Sequence, residues 1–269
     1  MSLALRNIVP EINTLITEDD EPVDNLPSEK QQRLLTETLY SSWNGPGNGR
    51  TFLAAANVGV FYLARRPAVV PDVFLSLDVE VPEDWWEKEH RSYFLWEFGK
   101  APDLAIEIVS NREGDEDGEK RNKYARMQVP YYVILDPLCQ VMSQVLTIYR
   151  LNNFVYELHD NSYFPHLNLG LKLWEGKYEG KETSWLRWVD EKGDLILSGK
   201  ERAEQERLRA NEEQRRANEQ KQIADEQKQI ADEQKQRAEQ AELLLEQERL
   251  RAERLAKMLR QLGQDPTKI

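Results

Sequence analysis

Three side chains in the first half of the chain have types and surroundings suited to chemistry. Glu107 stands in the middle of Ala101-Pro-Asp-Leu-Ala-Ile-Glu-Ile-Val-Ser110, an aliphatic, β-branched run that reads as a buried strand. A buried carboxylate without a partner is costly or keeps its proton, so Glu107 requires a cation beside it, either a basic side chain or a metal. Strand alternation puts Leu104, Ile106 and Ile108 on one face and Ala105, Glu107 and Val109 on the other, leaving a floor of small residues around the acid. Asp72 follows Pro71 and shares a face with Phe74 and Ser76 in a second strand, Ala68 to Leu77. It is either a turn residue at a strand end or an acid that pairs with Glu107. Lys120 lies on a short helix read from Gly118 to Gln128, where ~100° per residue places it with Tyr124 and Met127 and leaves Lys123 about 60° away. If those two apolar residues anchor the helix, Lys120 points inward with them.

The elements that must position these groups are legible around them. A helix is predicted from Ser28, with Gln31 three residues on as in a capping box and Leu34, Leu35, Thr38 and Leu39 as its buried stripe. Glu37 lies at the edge of that stripe. Turn formers Asn44 to Gly49 lead into a strand from Thr51 to Tyr62. The polar, aromatic insertion Asp84 to His90 and a short strand from Ser92 to Phe98 precede the Glu107 strand. Asn111 to Gly118 resembles a calcium loop, but Glu116 stands where the sharp-turn glycine is needed and the terminal Glu is missing, so a solvated acidic loop is predicted. Val129 to Asp136 reads as another buried strand, closing a strand, helix, strand unit in which parallel pairing is favoured. Strands at Val145 to Tyr149, Asn153 to Leu158, Leu169 to Trp174 and Trp185 to Trp188 are expected to cap one edge of the sheet.

Charge divides the chain. Residues 200–262 hold 15 Lys and Arg against 15 Asp and Glu, whereas residues 1–199 hold 20 against 32 and carry the whole net charge of −12. Such a surface argues against a broad nucleic-acid footprint, which depends on phosphate neutralisation, but not against a small metal-dependent site. Cys139 is the only cysteine, which excludes an internal disulfide or thiolate zinc cluster and suits a reducing cytoplasm; a small packing role is expected for it. His90, His159 and His166 lack metal-ligand spacing. No run of apolar residues approaches the ~18 of a membrane span and the opening residues lack a signal pattern, so a soluble cytoplasmic chain is expected.

Pro71-Asp72-Val, Pro102-Asp-Leu-Ala-Ile-Glu107-Ile-Val-Ser110, Glu119-Lys120 with Tyr124-Ala-Arg, and Val129-Pro-Tyr-Tyr-Val-Ile-Leu-Asp136-Pro137 occur in an order and at spacings that resemble the Uma-type restriction endonuclease family, a bacterial branch of the PD-(D/E)XK nuclease superfamily. The resemblance spans about residues 30–150. It implies a restriction-endonuclease-like fold, a mixed central sheet flanked by helices, with Mg2+ or Mn2+ held by Asp72 and Glu107. The superfamily lysine two residues after the Glu is replaced here by Val109, and Lys120 takes the matching role from the next helix. Glu37 matches a supporting acid that some members carry on the first helix. Phosphodiester hydrolysis needs a hard cation to polarise phosphate and acidify water, and an ammonium nearby can orient the nucleophile or offset developing charge. A buried Glu107–Lys120 ion pair without catalysis is the plainer alternative.

All aromatic residues precede Gly199, and no Gly or Pro occurs from Lys200 to Leu262. One charged helix is predicted there, with a seven-residue series at Ala203, Ala210, Ala217, Ala224, Ala231, Ala238, Leu245, Ala252 and Leu259. Its apolar seam improves only after Ala241, with Leu255 and Leu262 at d, so coiled-coil self-association is expected of the last three heptads. The resulting plan is an arm (1–27), a nuclease-like domain (28–198), a long helix or coiled coil (199–262) and a tail (263–269). Two functions follow: a metal-dependent endonuclease on DNA, dimerised by the helix, or an inactive nuclease-fold scaffold whose coiled coil binds protein partners.

Overall fold

The computed structural model describes residues 25–110 and 116–261. Most of the expected N-terminal arm, the 263–269 tail and residues 111–115 of the acidic loop lie outside the described residues. The chain divides into two compact units, one reaching to Ala203 and the other beginning at Glu204.

The first unit opens with α1, Leu26–Ser42, which begins earlier than the capping-box pattern predicts. Asn25 is the cap, accepting the Ser28 N–H on Oδ1 at 3.0 Å, with Pro in the first turn. That placement satisfies a donor the helix cannot and uses the residue that needs none. Gln31, freed from capping, exchanges two hydrogen bonds with the backbone of Leu186, at 2.8 and 2.9 Å.

A mixed six-stranded sheet follows, in the order β1 (Phe52–Ala56), β3 (Val73–Leu77), β5 (Leu104–Ile108), β6 (Tyr131–Leu135), β7 (Leu146–Asn152) and β8 (Val155–Leu158). β5 and β6 are parallel, joined through α3, Arg121–Met127, and the remaining neighbours are antiparallel. The run from Thr51 to Tyr62 breaks where Asn57 takes φ 54°, a left-handed conformation that Asn tolerates. The residues beyond it form β2, Val60–Phe61, which pairs in parallel with β4, Tyr93–Phe94. Only those two residues of the expected strand from Ser92 are extended; α2, Leu95–Phe98, is a single turn closed by Gly99 at φ 74°. β7 and β8 extend the main sheet, whereas β9 (Tyr163–Phe164), β10 (Leu169–Tyr178) and β11 (Lys181–Val189) make an antiparallel sheet of their own. Trp188 of β11 donates its indole N–H to the Leu35 carbonyl of α1 at 2.8 Å, which seats this second sheet on the helix.

The alternation in β5 sorts the core into two faces. Leu104, Ile106 and Ile108 join Leu35, Leu39, Val73, Leu75 and Val133 in one buried cluster. Ala105 and Val109 join Phe74, Tyr124, Met127, Tyr132 and Ile134 in the other. Burying each large aliphatic residue contributes about 1.5–3 kcal/mol, so a one-residue slip of β5, which would exchange the faces and drive Glu107 among leucines, is strongly opposed.

The second unit is the body of α4, Gly199–Gln261, a helix without a buried residue along its length. Ion pairs run along its surface, among them Glu212 with Arg216 at 4.0 Å and Arg249 with Glu253 at 3.4 Å. Among the described residues no helix is long and apolar enough to cross a membrane.

Candidate active site

Asp72 stands immediately before β3, on the side of the sheet where β5 carries Glu107. Its Oδ2 accepts the Ile108 N–H at 2.6 Å and its Oδ1 accepts the Gln32 amide at 2.9 Å. Gln32 is held in turn by Asn57, whose side-chain N–H2 donates to Gln32 Oε1 at 2.9 Å. The left-handed turn at Asn57 thus helps to aim Asp72 through α1.

Glu107 has no solvent exposure. Oε1 accepts the Tyr124 hydroxyl at 2.5 Å and Oε2 accepts the Lys120 ammonium at 3.1 Å. Burial pushes its carboxyl above the ordinary range, against the Lys120 charge, the Tyr124 hydroxyl and a hydrogen bond with the Asp72 carboxyl, all of which pull it down. The two acids are therefore in contact. Burial pulls the Lys120 ammonium down, but Glu107, Glu116 and Asp72 outweigh it and hold the lysine above its ordinary value. Tyr124 and Tyr132 are raised well above theirs, by burial first and by Glu107 second. Lys120 is accordingly a standing cation and the tyrosines standing donors.

The helical face read from the sequence positions the lysine. Tyr124 and Met127 are buried against the sheet, and Lys120 projects with them, while Lys123 turns to Glu119 at 2.9 Å. Glu116 departs from expectation: it is not in a solvated loop but has a side chain only 6% exposed, with Oε1 3.8 Å from Lys120 Nζ. Its Oε2 has no hydrogen-bond partner among the described residues. The helical course is interrupted just after it, at Gly118, with φ −114° and ψ −105°. The Tyr132 hydroxyl fixes the turn by donating to the Glu116 carbonyl at 2.7 Å.

Glu37, expected as a supporting acid, is not brought to this cluster. Its Oε1 accepts the Gly199 N–H at 2.8 Å at the start of α4, where a Cβ on Gly199 would lie 2.9 Å from that oxygen. It stabilises a helix N-terminus instead. Nearby, the fully buried Arg187 grips Glu201 through both terminal nitrogens, at 2.7 and 2.6 Å. The histidines are elsewhere: His166 meets Asp103 and His90 meets Asp84, each at 3.1 Å. Cys139 is exposed at φ 48°, not packed.

Asp72 lies beside Glu107, and Lys120 bonds Glu107 and faces Glu116, so the donor set of Asp72 and Glu107 is one that fits a cation. Among the described residues no three His, Cys, Asp or Glu side chains are placed to share one ion. Two carboxyls completed by water and substrate oxygens suit Mg2+, which retains much of its hydration, better than an ion that needs an all-protein cage.

A mixed central sheet with acids on adjacent strands and helices against it is a restriction-endonuclease-like α/β architecture. The chain belongs to the Uma2 family: the family model, described as "Putative restriction endonuclease", matches residues 19–172, more than half of its length. Among solved structures it is similar to a crystal structure described as "a putative nuclease belonging to DUF820 from Anabaena variabilis", at 18% identity and a TM-score of 0.37, over 52% of this chain and 71% of that one. A search of the curated proteins finds no match.

Proposed function

We propose that the chain is a metal-dependent endonuclease that hydrolyses DNA phosphodiester bonds, with Asp72 and Glu107 holding Mg2+ or Mn2+ and Lys120 as its catalytic cation. The observation that supports this most is the convergence of the three side chains, from the entry to β3, from β5 and from the entry to α3, on the carboxyl of Glu107. A bound ion would supply Lewis-acid polarisation of the phosphate and a more acidic water. Asp72 is oriented for that task by the Ile108 N–H and Gln32, and Glu107 by Tyr124. Lys120 is assigned the part of a donor, its ammonium being bonded to Glu107 Oε2 at 3.1 Å. It donates to the nucleophile or to the phosphate oxygens on which negative charge accumulates.

The test is supercoiled-plasmid cleavage with Mg2+ or Mn2+ beside calorimetric titration of the ion, on wild type and Glu107→Gln. Cation-dependent cleavage that disappears together with ion binding in the variant is expected. A wild type that neither binds the ion nor nicks the plasmid sinks the reading.

The α4 helix is proposed to dimerise the enzyme through its last heptads, where Leu244, Leu245, Leu250, Leu255 and Met258 are exposed on the single chain. Truncation at about residue 240 should then weaken dimers and leave the first unit folded. Light scattering that finds the full chain monomeric overturns this part.

One observation favours a second reading, a scaffold that binds protein partners through α4. Both Glu107 oxygens already have donors within the chain, as a structural ion pair requires. Plasmid cleavage by the wild type decides between the two.

A further inference from the structure

Lys120 cannot keep its present partner in the reaction proposed above. Its ammonium bonds Glu107 Oε2 at 3.1 Å, and an ion shared by Asp72 and Glu107 competes for that carboxylate and repels the ammonium. Glu116, one helical turn before Lys120, stands 3.8 Å from the same nitrogen with a side chain 6% exposed. Its second oxygen is buried and without a hydrogen-bond partner among the described residues, a state that native structures rarely leave unused. The position is built into the chain, by the Gly118 turn and by the Tyr132 hydroxyl on the Glu116 carbonyl. No three acids among the described residues are placed around one ion, and the cationic atom beside Glu116 Oε1 is Lys120 Nζ.

We propose that Glu116 is a positioning residue for Lys120: when a divalent cation is held by Asp72 and Glu107, the ammonium passes from Glu107 to Glu116 and is kept there as the charge that faces the phosphate. This rests on the nuclease reading. Glu116 then offsets the repulsion between ammonium and ion without competing for the ion, so its effect on ion binding runs through Lys120.

A double-mutant cycle on the full chain tests this, with Mn2+ titrated calorimetrically into wild type, Glu116→Gln, Lys120→Met and the double variant, and a melt of each in chelator. Glu116→Gln should weaken Mn2+ binding about tenfold, Lys120→Met should bind at least as tightly as wild type, and Glu116→Gln should have little further effect once Lys120 is gone. Equal weakening in both backgrounds would make Glu116 an ion ligand and overturn the proposal, as would unchanged affinity in the single variant. Loss of melting temperature in chelator that persists without Lys120 would mark a structural residue and overturn it too. If Glu116→Gln fails to fold, Glu116→Asp keeps the charge on a shorter arm, and a weakening that vanishes with Lys120→Met is again required. A wild type that takes up no Mn2+ overturns the nuclease reading and the proposal together, and its curve alone identifies that case.

Discussion

Glu107 and Asp136 are both carboxyls without solvent exposure, near the same end of the neighbouring parallel strands β5 and β6, yet the fold drives them in opposite directions. Burial raises both. For Asp136 it is overcome by the backbone N–H groups of Met142, Val141 and Gln140, at 2.8, 2.7 and 2.9 Å, and the carboxyl is held below the ordinary aspartate range. For Glu107 the donors are the side chains of Lys120 and Tyr124, with Asp72 close by, and burial wins. Backbone donors are fixed by the course of the chain and keep a charge permanently satisfied. Side-chain donors can move, so the acid they serve is free to exchange them for an ion.

The largest effect that would sharpen this contrast is on cleavage by Lys120→Met. Loss of an electrostatic donor to the transition state costs about 10²–10³-fold in rate, with the melting temperature nearly unchanged because Glu107, already raised, escapes by taking a proton. A melt beside the plasmid assay checks it; lost stability with cleavage intact would show that Lys120 is structural. Asp136→Ala should do the reverse. It leaves three loop N–H groups without their acceptor at a cost of about 3 kcal/mol, read as a lowered urea midpoint, while cleavage per folded molecule is retained. A loss of cleavage in folded protein would erase the distinction between the two acids.

The site was legible in the sequence where periodicity carried the information. Period two placed Glu107 opposite the Leu104 face, and period 3.6 placed Lys120 with Tyr124 and Met127; both readings agree with the geometry. What was not legible depends on contacts between distant residues. Gln32 looks like any polar helix residue until Asn57 and Asp72 close on it, 25 and 40 positions away. Glu37 has the type of a metal acid, but its partner Gly199 lies 162 positions on. Glu116 reads as solvated because nothing local reveals that the chain folds it inward; a glycine two residues after an acid in a charged loop is the only signal present. Residues beyond the core reveal most of their strands but not their pairing: β10 and β11, expected at the edge of the main sheet, form a separate sheet with β9, which the sequence does not signal.

The smallest predicted effect is on the pH dependence of stability in chelator, and it follows from the opposite shifts. A folded carboxyl raised above its unfolded value binds the proton more tightly in the folded chain, so Glu107 makes stability fall as pH rises from about 4.5, the ordinary glutamate value, toward its folded value. A folded carboxyl that is lowered does the converse, so the stability Asp136 contributes is present above about 3.8 and is lost as pH falls through its folded value. Each group contributes at most about 1.4 kcal/mol per pH unit inside its own window. Urea titrations in chelator across this range should therefore show Glu107→Gln removing a decline on the alkaline side, so that the variant equals wild type in acid and exceeds it near neutrality. Asp136→Asn should remove a decline on the acid side. Asp136 meets backbone donors, so its variant reports that carboxyl, whereas Glu107→Gln reports Glu107 together with Lys120 and Asp72, to which it is bonded. Parallel curves for wild type and Glu107→Gln would mean that Glu107 is as well satisfied as Asp136, and the inference from movable donors to an ion site would fail with it.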